Sequence, residues 1–334
     1  MSRVTVVIPN YNGEKYLKDC LDSLAVCCDG NEGSVRDIGI IIVDNGSTDA
    51  SIDIINRAMS DSSDDAGRCP VISLMRLDKN YGFSKAVNEG IKASDSEYVI
   101  LLNNDTRVEH DFADKLVQAI EKDERIFSVS AKMLNMSDPD KMDSAGDLYC
   151  ALGWAFARGK DKPASLYNRR RDIFSACAGA AIYRRSLFEE TGYFDEDHFA
   201  YLEDVDVGYR ARINGYRNVY EPGAVVYHAG SGSSGSRYNK FKIELSSQNN
   251  VYVVYKNMPF VQLLINLPFL LAGTLIKILF FIKKGEGGTY IKGLCRGVGL
   301  CLKGHKYPYR NKNIKNYLKI QLELWGNMFA RVFG

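Results

Sequence analysis

Asp105 closes the run Tyr98-Val-Ile-Leu-Leu-Asn103-Asn104-Asp105, in which an apolar stretch gives way to two amides and a carboxylate. A run of this kind reads as a strand covered on both faces, and ligands of open α/β sheets gather where such strands end. Asp105 is therefore placed to hold a divalent cation. Asp44 has a similar setting, since Gly39-Ile-Ile-Ile-Val43 opens into Asp44-Asn-Gly-Ser-Thr-Asp49. Far downstream, Glu203-Asp204-Val-Asp206 forms a second acidic group. Asp204 or Glu203 could take a proton from an attacking hydroxyl, because a carboxylate in a partly dry cleft gains basicity.

These groups need a frame, and the hydrophobic pattern supplies one. Val4-Thr-Val-Val-Ile8 reads as a strand opening into Pro9-Asn-Tyr-Asn12. Leu17, Leu21 and Leu24 recur at helical spacing within 15–27, and a second helix starts at Asp49, a plausible cap. Residues 60–67 read as an acidic surface loop. A strand at 71–77, a helix at 83–93 and a strand at 97–103 follow. This alternation predicts an α/β fold, with a mostly parallel sheet and helices on both faces. Periodicity weakens from 135 to 171, which reads as an insertion or long connection. The small residues of Phe174-Ser-Ala-Cys-Ala-Gly179-Ala-Ala suit close approach to a ligand or a neighbouring backbone.

At 334 residues, 46% hydrophobic and 25% charged, the chain can bury one large core or a main domain with an appendage, and general disorder is excluded. Its formal charge of +2 is unevenly spread. Residues 277–334 carry twelve Lys or Arg against Glu286 and Glu323, a net +10 that leaves −8 for the rest. Eight cysteines without a CxxC pair, and a start that reads as a strand, argue against a zinc module and against secretion. A reduced cytosolic setting fits.

The pieces Val6-Val-Ile-Pro-Asn-Tyr-Asn12, Val43-Asp-Asn-Gly-Ser-Thr-Asp49, Asn80-Tyr-Gly-Phe83, Leu101-Leu-Asn-Asn-Asp105 and Glu203-Asp-Val-Asp206 with Arg210 resemble, in order and spacing, the inverting glycosyltransferases of family 2, which have the GT-A fold. Within that family the Asn-Asn-Asp triplet and Lys256-Asn-Met-Pro259 look like the rhamnosyltransferase-type branch of bacterial surface polysaccharide synthesis. The resemblance covers about residues 3–230. It implies a nucleotide-sugar donor, such as dTDP-rhamnose or a UDP-sugar, and a divalent cation, Mg²⁺ or Mn²⁺. Pro9, Tyr11, Asn12, Asp44, Asn80 and Gly82 would line the donor pocket, with Asn103, Asn104 and Asp105 at the diphosphate and metal. Asp204 would be the catalytic base beside Glu203, and His228 would approach the metal or diphosphate. Asn103-Asn104-Asp105 departs from a pattern with two aspartates, so metal affinity would depend on the bound diphosphate.

The resemblance places a catalytic domain at 1–236 and a helical, basic, membrane-associating region at 237–334. Gly230-Ser-Gly-Ser-Ser-Gly235 matches dinucleotide-binding spacing but lacks the helix that motif requires, and it reads as a flap over the donor with Arg237 nearby. The apolar stretch 260–282 has the length to cross a bilayer, yet contains Gln262, Asn266, Pro268 and Lys277. Three placements are open: attachment to one membrane face with a break at Pro268, a single crossing, or burial as a soluble helix. The first fits a cytosolic body and a basic tail resting on anionic headgroups of the inner membrane surface. A lipid-linked saccharide would then be the acceptor, and nucleic acid is not an expected partner. The Gln-x-x-Arg-Trp signature of processive members is absent, because Gln321-Leu-Glu-Leu-Trp325 lacks the arginine. The alternatives are a non-catalytic nucleotide-sugar sensor or a membrane scaffold. A sugar nucleotidyltransferase is disfavoured, since Pro9-Asn-Tyr-Asn-Gly13 stands where its Gly-rich, Arg-containing loop would be.

Overall fold

The computed structural model describes residues 2–28, 38–63, 70–230 and 239–333. Most of the expected flap, 231–235 with Arg237, lies outside the described residues, as does 64–67 of the expected acidic loop; residues 60–63 of that loop are helical instead.

The chain opens as β1 (Val4–Asn10), α1 (Leu17–Cys28), β2 (Ile38–Asp44), α2 (Ser51–Ser63), β3 (Val71–Arg76), α3 (Phe83–Ala93) and β4 (Tyr98–Leu102). These are the elements the periodicity predicts, and Asp49 accepts a hydrogen bond from the Ser51 N–H at 3.0 Å, as its capping role requires. β1 pairs in parallel with both β2 and β4, and β2 with β3. The chain thus grows from β1 towards β3, then returns to the other side of β1. The strand order thus reverses beside β1, and a crevice lies outside the carboxyl ends of β1 and β4.

The chain continues as β5 (Thr106–Val108), α4 (Phe112–Ile120), β6 (Ile126–Asn135), β7 (Asp138–Ser144), β8 (Asp147–Cys150), β9 (Trp154–Ala157), β10 (Arg171–Ile173), β11 (Ala180–Arg184), α5 (Phe188–Thr191), α6 (Glu203–Ile213) and β12 (Arg217–His228). The main order is β10-β12-β6-β11-β4-β1-β2-β3. β11 runs antiparallel to β4 and β6. The sheet is therefore mixed, parallel through its first half and reversed at β11. The stretch 135–171 is not irregular: β7 pairs with β6, and β8 and β9 form a separate hairpin. These strands are short and partly polar, so neither helical nor strand periodicity marks them. Leu17, Leu21 and Leu24 of α1 pack with Leu116 and Ile120 of α4 on one face of the sheet. Ala86, Val87 and Ile91 of α3 pack with Val207 and Ala211 of α6 on the other.

Four helices close the chain: α7 (Lys240–Asn257), α8 (Phe260–Lys283), α9 (Gly287–Lys303) and α10 (Ile314–Phe333). α10 returns to the body, where Ile320 and Leu324 join Tyr149, Phe174, Tyr209 and Val253 in a third core cluster. α8 turns its few polar residues inward. Gln262 accepts from the Tyr209 hydroxyl at 3.0 Å, and the Asn266 and Gln321 amides exchange hydrogen bonds at 2.7 and 2.8 Å. Gly273 presses on the Leu152 carbonyl, 2.4 Å from where a Cβ would stand. Leu264, Leu271, Leu275 and Leu279 are exposed. The break expected at Pro268 is absent, for α8 runs through it. Packing on either side holds the helix where proline removes one hydrogen bond.

α6 is fastened by a buried charge. Asp206 is fully buried; its carboxylate accepts from Arg210 at 2.8 Å, Lys256 at 2.9 Å and Asn257 at 2.7 Å. Burial alone would raise its pKa, but Arg210 and Lys256 outweigh this and hold it well below the ordinary 3.8. Asp206→Asn should destabilise the fold by about 3–5 kcal/mol, since it leaves two buried cations short of a partner. A carboxylate depressed in the folded state contributes stability above its unfolded pKa and loses it as pH falls below. Denaturant titrations should show wild-type stability falling below about pH 4, with a shallower acid slope in the variant.

Candidate active site

The crevice at the switch point is a cleft of about 920 Å³. Of the residues singled out in the sequence, Pro9, Tyr11, Asn80, Gly82, Asn103, Asn104, Asp105, Glu203, Asp204 and His228 all line it. Asn12 and Asp44, expected in the donor pocket, are not among the lining residues: Asn12 is exposed and Asp44 is buried. Asn12 Oδ1 accepts from the Thr48 N–H at 2.9 Å, and the buried Asp44 accepts from Asn10 at 3.0 Å and from the Ser47 N–H at 3.1 Å.

Asn10 joins three strand ends. Its amide donates to Asp44 and to Ser47, while its oxygen accepts from Asn104 at 2.7 Å. Asn45 does the same work for the next wall, donating to Asn80 and to the Gly82 carbonyl at 3.0 Å each. Gly82 has φ 90°, and a Cβ there would meet the Phe199 carbonyl oxygen at 2.5 Å. Only glycine fits. Neither Asn10 nor Asn45 is marked by its own residue type; both lie inside motifs singled out for other residues.

At one side of the cleft His228 bridges two carboxylates. Its Nε2 lies 3.2 Å from Asp105 and its Nδ1 2.9 Å from Asp143, which also pairs with Lys160. Burial would lower the imidazole pKa, but Asp105 and Asp143 overcome this and lift it to about 9. A carboxylate oxygen and an imidazole nitrogen facing the same cleft, with a second carboxylate behind the imidazole, form a donor set suited to Mg²⁺ or Mn²⁺. Asp105 and His228 would hold such a cation; Asp143 would orient the ring.

In the same cleft, Glu203 and Asp204 stand in the first turn of α6. Asp204 accepts from the Val205 N–H at 2.8 Å and the Ala178 N–H at 3.4 Å. Burial raises its pKa. Burial, then the neighbouring Asp204, keeps Glu203 well above the ordinary range, and its Oε2 has no hydrogen-bond partner. The turn before α6 is strained: Phe199, Tyr201 and Leu202 have φ of 60°, 70° and 68°. Asn249 of α7 holds it, donating to the carbonyls of His198, Ala200 and Tyr201 at 2.8 Å each. The sequence reading missed Asn249, Asp143 and Asp147, the last also in the cleft. The signal was Met142-Asp-Ser-Ala-Gly-Asp147, two acids around a small-residue bend in a segment read as a connection.

The description of one protein family, Glycosyl transferase family 2, matches residues 5–192. The chain is 28% identical over 258 residues to the N-acetylglucosaminyl-diphospho-decaprenol L-rhamnosyltransferase of Mycobacterium tuberculosis, covering 69% of this chain and 77% of that one. It is 25% identical over 229 residues to the poly-beta-1,6-N-acetyl-D-glucosamine synthase of Staphylococcus aureus, 67% of this chain but only 49% of the synthase. Among solved structures, residues 1–349 of S. aureus TarS in complex with UDP-GlcNAc align with a TM-score of 0.57 at 17% identity, covering 96% of this chain and 90% of that one. A mannosyltransferase from Pyrobaculum calidifontis in complex with GDP-Man and Mn²⁺ gives 0.57 at 16%, covering 97% and 81%. These structures share the fold.

The cation site predicts a hierarchy readable without substrate. Asp105→Asn and His228→Asn should each weaken Mn²⁺ binding, followed by electron paramagnetic resonance, more than Asp143→Asn does. The latter should lose about 10- to 100-fold, as partners behind a metal-ligating histidine do.

Proposed function

The chain belongs to glycosyl transferase family 2, and from that premise we propose that it moves one sugar from a nucleotide-diphosphate sugar, dTDP-rhamnose or a UDP-sugar, to a hydroxyl of a lipid-linked saccharide, inverting the anomeric centre. The observation that supports this reading is that Asp204 and the Asp105–His228 pair line one cleft. Asp204 takes the proton of the acceptor hydroxyl as its oxygen attacks the anomeric carbon. The bond to the diphosphate breaks on the far face, so the configuration inverts. A divalent cation at Asp105 and His228 supplies Lewis-acid neutralisation of the departing diphosphate. The rhamnosyltransferase relative, named for a lipid-diphosphate substrate, supports the acceptor class.

The body supports delivery at a membrane surface. α8 is long and apolar enough to cross a bilayer, yet only 11% of its most apolar window is buried against protein. Its polar residues are hydrogen-bonded to Tyr209 and Gln321 of the body, which favours lying along the membrane face over crossing it. α10 adds exposed Leu318, Leu322 and Phe329. Trp325 packs on the third core cluster and Gln321 pairs with Asn266 of α8, and the absence of the processive signature there fits transfer of one sugar per encounter.

Asp204→Asn should keep nucleotide-sugar binding, read as thermal stabilisation with Mn²⁺, while transfer drops by about 100- to 10,000-fold or more. Near-normal turnover would rule out the base assignment. Cutting away the tail would expose the core that α10 covers, so the membrane test changes the outward face alone. Replacing Leu271, Leu275 and Leu279 with glutamate should cut flotation with anionic vesicles by at least about 100-fold at unchanged melting temperature. Flotation equal to wild type would place membrane attachment elsewhere.

A further inference from the structure

Asp147 is a cleft carboxyl that the transfer mechanism leaves unused. It opens β8, and its backbone is pinned to the strand leading into β11: its N–H donates to the Ser175 carbonyl at 2.9 Å, and its carbonyl accepts from Phe174 and Ser175. Its side chain meets Asp204. One oxygen of each carboxyl and the Cys177 sulfur lie within 4.8 Å of one another. Two carboxylates held this close without a cation between them repel when both are ionised, and a proton on one removes the repulsion and supplies a donor to the other. We propose that Asp147 and Asp204 share a single proton, with Asp147 the neutral partner that donates to Asp204 and fixes the orientation of the base.

The surroundings set the direction of sharing. Asp204 accepts from two backbone N–H groups, which favour its ionised form; Asp147 has no such donors among its hydrogen bonds. Burial, then Asp204, pushes Asp147 well above the ordinary carboxylate range. The other titratable groups facing the pair are Glu203 of α6, Cys177 before β11, Asp143 of β7 and Tyr183 of β11. None is cationic at neutral pH. Among the described residues no lysine or arginine forms an ion pair with either carboxyl, and Lys160 is engaged by Asp143. A neutral donor therefore does for Asp204 what a cation does elsewhere. During transfer Asp147 keeps its proton; the acceptor's proton goes to Asp204, and the diphosphate leaves with the bonding pair. Asp147 is a positioning residue, since it acts through Asp204. Its part in transfer rests on the function proposed above, but the shared proton does not.

The test follows that division. The full chain in detergent, labelled with ¹³C at aspartate carboxyls, should show at pH 7 one protonated carboxyl that disappears in Asp147→Asn at unchanged melting temperature. Absence of a protonated aspartate in wild type, or its survival in Asp147→Asn, overturns the proposal whatever the enzyme transfers. With a turned-over nucleotide sugar, the acid limb of the kcat/KM profile supplies the second reading. Asp147→Leu, which removes the donor, should move that limb up by about one pH unit. Asp147→Asn, which keeps a donor, should hold it where wild type has it. Equal limbs in the two variants would reduce Asp147 to a packing role and overturn the proposal.

Discussion

A carboxylate sealed from water must be matched by charge and hydrogen bonds, and Asp206 imposes that demand at the centre of this molecule. It meets the demand with Arg210 from its own helix and Lys256 and Asn257 from α7. Residues two apart on a helix point to opposite sides, so fixing Asp206 inward sends Asp204 to the cleft. Arg210 carries the tie further, to the carbonyls of Gly192 and Tyr193. His198 lies 4.0 Å from the same carboxylate, and Lys256 already fills the position a cation would take between Asp195 and Asp206. With Asn249 bracing the strained turn before α6, α7 holds α6 from two points.

The cleft itself is short of positive charge. Asp105, Asp143, Asp147, Glu203 and Asp204 line it against Lys160, Lys242 and His228. A diphosphate brought into such a site meets repulsion unless a cation comes with it, and the amides at 10, 45, 80, 103 and 104 add shape without adding charge. Beside the single aspartate at 103–105, β12 delivers His228 from far along the chain, 3.2 Å from Asp105.

How much of this was legible depended on the range of the signal. Strands β1, β2 and β4 are apolar runs closed by turn residues, and α3 shows its buried Ala86, Val87 and Ile91 at helical spacing, so local pattern suffices. The ends of those strands drew Asp105 and its amide neighbours to notice for the same reason. Asp143 and Asp147 were hidden because they belong to different short strands, and their convergence depends on pairings with β6 and with Ser175 that no local period encodes. Lys256-Asn257, noticed only as a family mark, turn out to be partners of a residue fifty positions upstream. The outward face of α8 was readable as apolar, but its inward polar stripe needed Tyr209 and Gln321 in view.

That stripe inverts the usual rule for which positions of a helix tolerate change. An exposed apolar position has no protein neighbour to fix a shape, so Leu264, Leu271 and Leu275 should tolerate isoleucine, valine or methionine. Gln262, Asn266 and Gly273 answer to particular neighbours, Tyr209, Gln321 and Leu152. In this helix the outward hydrophobic positions are the permissive ones, while Leu263, Phe269 and Leu270 pack on the core and two amides and a glycine fix its place.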